Sequence, residues 1–178
     1  MNNRMENFKK VIFLLNTNFG ELAQLMVKKL EHFHSADAKY YDLLTPDGKK
    51  VEVKFSRAKK KSEPLNEHNA INLCIEATTD ANILLEEDAT KYVYDCNIQQ
   101  IKHDEFDYLY YGIFFNDKIM IFRAKSDDVV NMPGYSIQHK GGTEYQFHIK
   151  NTVYEFHKKN FLYKELSYEE LFNLFEKN

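Results

Sequence analysis

Two carboxylates and a lysine bracket a tight-turn sequence in the segment YYDLLTPDGKKVEVKF, residues 40 to 55. Asp42 precedes the turn, and Glu52 and Lys54 follow it. Oxygen-donor side chains of this kind suit magnesium, which keeps several waters and takes only one or two carboxylates. An amine beside such an ion can orient an attacking water or offset the charge that develops on a phosphate. The chemistry implied is hydrolysis of a phosphodiester, provided the three side chains share one side of a hairpin.

The turn decides that point. Thr45-Pro46-Asp47-Gly48 suits a type I turn, with proline at the first central position and glycine where a left-handed backbone is needed. With Gly48 as a bulge residue, Pro46 to Gly48 is a three-residue loop and Thr45 pairs with Lys49. Counting outward, Leu43 faces Val51, Asp42 faces Glu52, Tyr41 faces Val53 and Tyr40 faces Lys54. Opposed residues lie on one side of a sheet. Leu43, Tyr41, Val51, Val53 and Phe55 then form a core face, and Asp42, Glu52, Lys54 and Tyr40 a chemical face. Facing carboxylates repel each other, and a cation between them removes that penalty. A two-residue loop would instead set Asp42 opposite Val53. The bland alternative is a solvated hairpin face, on which Asp, Glu and Lys are ordinary.

Asp42, a gap of nine residues, then Glu52-Val53-Lys54 resembles the PD-(D/E)xK nuclease superfamily, which includes many type II restriction endonucleases. The order agrees: a helix with Glu21, a strand with the aspartate, then a strand with E-x-K. Tyr41 stands where the family motif has its proline. Gln99-Gln100-Ile101-Lys102 and the later FDYLYYGIFFNDKIMIFR are similar in style to the core strands of restriction enzymes. The resemblance spans roughly residues 18 to 124. It implies an α/β (α+β) fold with a restriction-endonuclease-like mixed central sheet flanked by helices. It also implies a magnesium-dependent endonuclease acting on double-stranded DNA. In that reading Asp42, Glu52 and the Val53 carbonyl bind Mg2+, Lys54 positions or activates water, and Glu21 is an auxiliary acid. Glu21 has a competing role as the capping partner of Asn18. Double-strand cutting usually needs two sites, so a homodimer or a partner subunit is implied. A rival reading is a non-catalytic DNA-binding or assembly subunit on the same fold. A third is a globular protein with a chance E-x-K triplet.

Basic and polar residues elsewhere offer nucleic-acid contacts. Arg57, Lys59, Lys60 and Lys61 follow the E-x-K triplet and suit phosphate contacts, which give affinity without reading sequence. Residues 136 to 159 combine glycines with polar and basic side chains, among them His139, Lys140 and Gln146, types that can read base edges. A solvated loop explains the first group equally well. His32 and His34 point apart on a helix end, which disfavours zinc. His103-Asp104 could serve as a catalytic pair or as a loop cap. No G-x-S-x-G, GxGxxG or GxxxxGK[ST] motif occurs.

The elements that must position these residues follow from periodicity. Residues 3 to 15 suit a short helix. Asn18 with Glu21 opens a second over 19 to 33, with Leu22, Leu25, Met26 and Leu30 at 3–4 spacing. The first hairpin covers 38 to 57 and an exposed loop 58 to 70. Residues 71 to 90 are ambiguous, a strand at INLCIE and then a turn and helix. Residues 91 to 101 are strand-like. A second, aromatic hairpin spans 107 to 124 around Asn116-Asp117-Lys118, central and buried. Residues 125 to 150 are loop-rich. Ser167 and Glu170 form a capping box for a last helix that turns Leu171, Leu174 and Phe175 inward.

Bulk properties set the bounds. The chain has 178 residues, 43% of them hydrophobic, with 14 Phe and 12 Tyr, which fits one domain with a sizeable core over 1–178. A net charge of −3 disfavours a generally basic nucleic-acid binder, although local patches outweigh the total. Cys74 and Cys96 form no zinc spacing and read as buried thiols of a reducing compartment. The apolar run Val11 to Leu15 is too short for a signal-peptide core or a membrane span, so a cytoplasmic, soluble chain with no membrane partner is expected.

Overall fold

The computed structural model describes residues 3–14, 19–38, 40–61, 64, 66–72 and 82–176. Two helices open the chain, α1 (Asn3–Leu14) and α2 (Phe19–Glu31). Four strands follow: β1 (His34–Ser35), β2 (Leu43–Leu44), β3 (Lys50–Arg57) and β4 (Asp95–Ile101). The aromatic hairpin is β5 (Tyr108–Phe114) and β6 (Lys118–Lys125), leading into the short α3 (Ser126–Val129). Then come β7 (Ser136–Ile137), β8 (Tyr145–Lys150) and α4 (Tyr154–Phe161). The edge strand β9 (Leu162–Ser167) and α5 (Tyr168–Glu176) close the chain.

The architecture is mixed α/β. A six-stranded sheet runs in the order β1-β2-β3-β5-β6-β9, and a three-stranded sheet in the order β4-β8-β7. In the large sheet β3 and β5 are parallel and every other pair is antiparallel. Side chains alternate across β5 with period two, which is what makes one strand serve two cores. Tyr110 and Phe114 join Val51, Val53, Ile119 and Ile121 under α1, α2 and α5. Leu109, Tyr111 and Ile113 face the other way, onto Cys96, Ile98, Phe147 and Ile149 of the small sheet and Tyr154 of α4. The large sheet is therefore covered on both faces, which accounts for the near-continuous apolar run of the 107–124 hairpin.

Several sequence expectations need correcting. Residues 125–150 are not mainly loop, because β7 and β8 lie there and build the second sheet. The strand expected at INLCIE is not one at its start, since Ile71 is helical and lies exposed. Residues 73–81, with Cys74, lie outside the described residues, and the helix expected next is a single tight turn over Glu86–Asp88. On α2 the inward face is Ala23, Met26 and Val27, whereas Leu25 points out. The last helix follows expectation: the Ser167 N–H donates to Glu170 Oε2 at 2.7 Å, and the Glu170 N–H donates back to Ser167 Oγ at 3.1 Å. Cys96 is buried, and burial pushes its thiol up to about 12. Among the described residues, no helix is long and apolar enough to cross a membrane.

Candidate active site

The turn before β3 has the register that Gly48 demands. Gly48 sits at φ +82°, the Thr45 N–H donates to the Lys49 carbonyl at 3.0 Å, and Leu43 pairs with Val51. The ladder then stops. The chain bends at Asp42, so Asp42 does not pair with Glu52, nor Tyr41 with Val53, nor Tyr40 with Lys54. The bend sends Tyr41 to the opposite core from Leu43, Val51 and Val53, correcting its place on the core face. The physical reason is a substitution of acceptors. Beyond Leu43 no β2 carbonyl meets the Val53 N–H, and Asp42 Oδ2 accepts it instead at 2.8 Å. The Asp42 backbone is fixed as well, its N–H to the Val51 carbonyl and its carbonyl from the Ala36 N–H.

Asp42, Glu52 and Lys54 nevertheless line one cavity of about 280 Å3. Strand alternation puts Glu52 and Lys54 on the face of β3 that turns toward the small sheet. Lys54 Nζ lies 2.7 Å from Glu52 Oε1. From α2, Gln24 Nε2 donates to Asp42 Oδ1 at 2.7 Å, so both oxygens of that carboxylate are held. The far wall comes from the end of β4, the tight turn His103–Glu105 that follows it and the residue before β8: Gln100, Lys102, Glu105 and Glu144. Tyr40 closes the rim under the Lys102 amine, 5.1 Å from its ring.

Burial governs the acids. It pushes Glu52 up to about 7; the Lys54 amine opposes the shift, and the charges of Asp42 and Glu105 add to it. Burial also raises Asp42, against the pull of the Val53 N–H and of Lys54. Glu105 Oε2 is buried with no hydrogen-bond partner among the described residues. The cavity thus sets four carboxylates, Asp42, Glu52, Glu105 and Glu144, against the two lysines Lys54 and Lys102, an arrangement that favours either a proton or a further cation. In an extended strand the N–H and C=O of a residue leave by the same edge, so the Val53 carbonyl points to the side where Asp42 lies. Two carboxylates and one carbonyl match the sparse donor set of magnesium, and the cavity has room for its waters. Among the described residues no group of three or more His, Cys, Asp or Glu converges as a metal cage.

Comparison with models of known families and with curated proteins finds no match. The geometry of this cavity is therefore the observation on which a functional reading stands.

The remaining expected site residues divide. Glu21 lies exposed in the first turn of α2 and does not line the cavity; Gln24, one turn on, reaches the Asp42 carboxylate instead. Asn18, its expected capping partner, is outside the described residues. Arg57 ends β3, half-buried. Lys59 and Lys60 bridge to Ile83 and Tyr94, and Lys61 is exposed beside them. Lys61 is seven residues past Lys54, on the order of 20 Å of extended chain, so this basic run flanks the site at a distance. Lys60 holds its amine 4.4 Å from the Tyr92 ring. His139 and Lys140 are exposed in the turn between β7 and β8, and Gln146 is on β8. His103 bonds Asp104 at 2.9 Å and Tyr135 at 2.9 Å, so both ring nitrogens are engaged outside the cavity.

Sequence reasoning missed Gln24, Gln100 and Glu105. Gln24 had a signal, since it lies three residues beyond Glu21 on the same amphipathic helix. Gln100 had none: it adopts φ +60° at an irregularity between Ile98 and Ile101, which turns it into the cavity.

Proposed function

We propose that the protein is a magnesium-dependent endonuclease of the PD-(D/E)xK kind that hydrolyses DNA phosphodiester bonds, restriction-type in architecture and acting as a homodimer or with a partner subunit. One observation carries the reading: Asp42, Glu52 and Lys54, drawn from a bend and a strand, line one cavity in which burial pushes the acids up against the pull of the lysine. The mixed sheet with helices on one face and a second sheet on the other supports it.

Asp42, Glu52 and the Val53 carbonyl would hold the ion, whose charge would polarise a phosphate oxygen and ease ionisation of a bound water. Gln24 and the Val53 N–H fix the Asp42 carboxylate before any ligand arrives, so no reordering is needed there. Lys54 orients the water with an amine that is anchored by Glu52. The water oxygen adds to phosphorus, the bond from phosphorus to one sugar oxygen breaks, and the proton of the water ends on that oxygen or in solvent. Lys102 at the rim is placed to meet the neighbouring phosphate.

Supercoiled DNA incubated with and without magnesium tests this directly. Wild type should cut only with the ion, and Asp42→Ala and Lys54→Ala should each lower the rate by at least about 100-fold. Cutting that ignores both substitutions removes the site assignment. Metal-independent binding without cutting favours the non-catalytic subunit.

A further inference from the structure

The outer face of the small sheet carries a row of carboxamides that nothing in the hydrolytic reading uses. Asn97 Nδ2 donates to Gln99 Oε1 at 3.3 Å and to Gln146 Oε1 at 3.2 Å. Gln138 Nε2 approaches Gln99 Oε1 at 3.5 Å, and Gln138 Oε1 accepts the Gln100 N–H at 2.8 Å. We propose that this face of the β4–β8–β7 sheet reads the major-groove edges of A·T base pairs beside the cleaved bond, with Gln146 and Gln99 as the contacting side chains. The proposal rests on the nuclease reading of the adjoining cavity.

Three observations carry it. The first is hydrogen-bonding capacity. Among the described residues the Nε2 amides of Gln146 and Gln99 have no acceptor, while their oxygens are tied into the ladder. Gln146 Oε1 accepts from Asn97 alone and keeps a second lone pair. A carboxamide with a free donor and a free acceptor site is the group that pairs with both N6 and N7 of adenine.

The second is preorganisation. An exposed glutamine swings freely and loses that freedom on binding. Here the ladder restrains both glutamines in advance, which lowers that entropic penalty.

The third is continuity. The irregularity at Ile98/Ile101 turns Gln100 into the cavity, and the preceding residue, Gln99, belongs to the outer ladder. A duplex with its phosphate at Lys54 would therefore present its adjacent bases to this face. Lys102 at the cavity rim, Lys140 in the β7–β8 turn and Lys150 at the end of β8 border it for phosphates. Asp95 is hydrogen-bonded to the His148 ring at 2.7 Å, and Glu144 lies 3.9 Å from the Lys102 amine. The major groove of B-DNA admits a two-stranded ribbon, whereas that of an RNA duplex is too narrow.

The test is binding of the full chain, without magnesium, to fluorescent duplexes of mixed, all-A·T and all-G·C sequence, with an RNA duplex as competitor. Wild type should prefer A·T-containing DNA by on the order of 5- to 100-fold, and replacing adenine by 7-deazaadenine should remove most of that preference. Gln146→Ala should bring the preference to within about twofold, with Gln99→Ala intermediate, while Glu21→Ala, on exposed α2 surface outside both the cavity and this face, leaves it intact. Gln99 is exposed and Gln146 half-buried, and circular dichroism reports whether the variants stay folded. Equal binding of all DNA duplexes, a preference that survives Gln146→Ala, or tighter binding of RNA would each overturn the proposal. Cutting of DNA without sequence preference overturns this proposal and leaves the nuclease reading standing. A·T-selective binding without cutting does the reverse, and neither binding nor cutting overturns both.

Discussion

At the scale of single residues, the cavity depends on which groups hold Asp42. Its two oxygens are taken by a backbone N–H and by Gln24, so the carboxylate enters the site already aimed. Gln24→Ala removes one of those bonds and leaves a half-buried carboxylate with one partner. Residues that orient a metal ligand are typically worth 10- to 100-fold in affinity or activity. Magnesium-dependent cleavage by Gln24→Ala should therefore need roughly tenfold or more additional magnesium for half-maximal rate. Glu21→Ala, altering an exposed residue of the same helix, should change it by less than about twofold. A magnesium titration of initial rates on both variants decides between them, and equal effects would show that the helix acts through its fold and not through Gln24. That Asp42 lies close to Glu52 and Lys54 was legible in sequence because the turn's register brings the two segments together, although the facing pair Asp42–Glu52 does not form. The bend at Asp42 was not, because it depends on a side chain replacing a strand carbonyl, which no alternation pattern encodes.

At the scale of elements, β5 is the strand on which the rest is hung, and Gly112 is its tightest point. It pairs with Phe55 on β3 and Ile121 on β6. A Cβ at Gly112 would collide with the Met120 carbonyl oxygen and the Phe55 ring. The carbonyl belongs to the ladder and cannot withdraw without breaking it. Gly112→Ala should therefore destabilise by about 1–3 kcal/mol or more, as overpacked cores do. For a chain of this size that is a fall in melting temperature of about 2–12 °C, measurable by calorimetry. A fall of under about 1 °C would mean that the strands part more easily than their register suggests. The glycine inside YYGIFF was a readable sign of close approach, because glycine weakens a strand and persists where nothing larger fits. The hairpin around it and the capping box at Ser167 and Glu170 were equally readable, since both are local. The second sheet was not. Strand β8, YQFHIK, alternates apolar and polar, but its partner is not local: β4 and β8 find each other across 43 intervening residues, between Ile101 and Tyr145 at their nearest pairing. Pairing over that distance is fixed by the shared core with β5, which a local pattern does not contain.

At the scale of the whole molecule, two buried groups should give stability an unusual pH profile. His157 on α4 is fully buried, stacked on Phe147 with ring centres 5.6 Å apart, and its Nδ1 lies 2.9 Å from the Tyr111 hydroxyl. Its Nε2 has no partner among the described residues, and burial pushes the imidazole down to about 4. A folded pKa below the unfolded value of about 6.5 means that the unfolded chain takes up the proton first. The stability held above pH 6.5 is then lost progressively as pH falls toward 4, by up to roughly 3 kcal/mol. Glu52 works in the opposite sense. Its folded pKa of about 7 lies above the unfolded value, so the metal-free fold gains stability as pH falls from 7 toward 4.5. The two slopes oppose each other between about pH 4.5 and 6.5, and the metal-free wild type should show a shallow profile there. Separating them requires removing one at a time. Tyr111→Phe with His157→Phe deletes both partners of the core hydrogen bond, which is close to neutral when shape is kept. That double variant should become more stable as pH falls from 7 to 5. Glu52→Gln should do the reverse, gaining on wild type above pH 7 and weakening steadily in acid. Denaturant melts of the three metal-free proteins at pH 5, 6, 7 and 8 measure this, and parallel curves for all three would show that neither group titrates differently in the fold. A gain for Glu52→Gln at alkaline pH would also show that the cavity holds its carboxylate at the expense of the fold, the condition under which a bound cation stabilises the whole molecule.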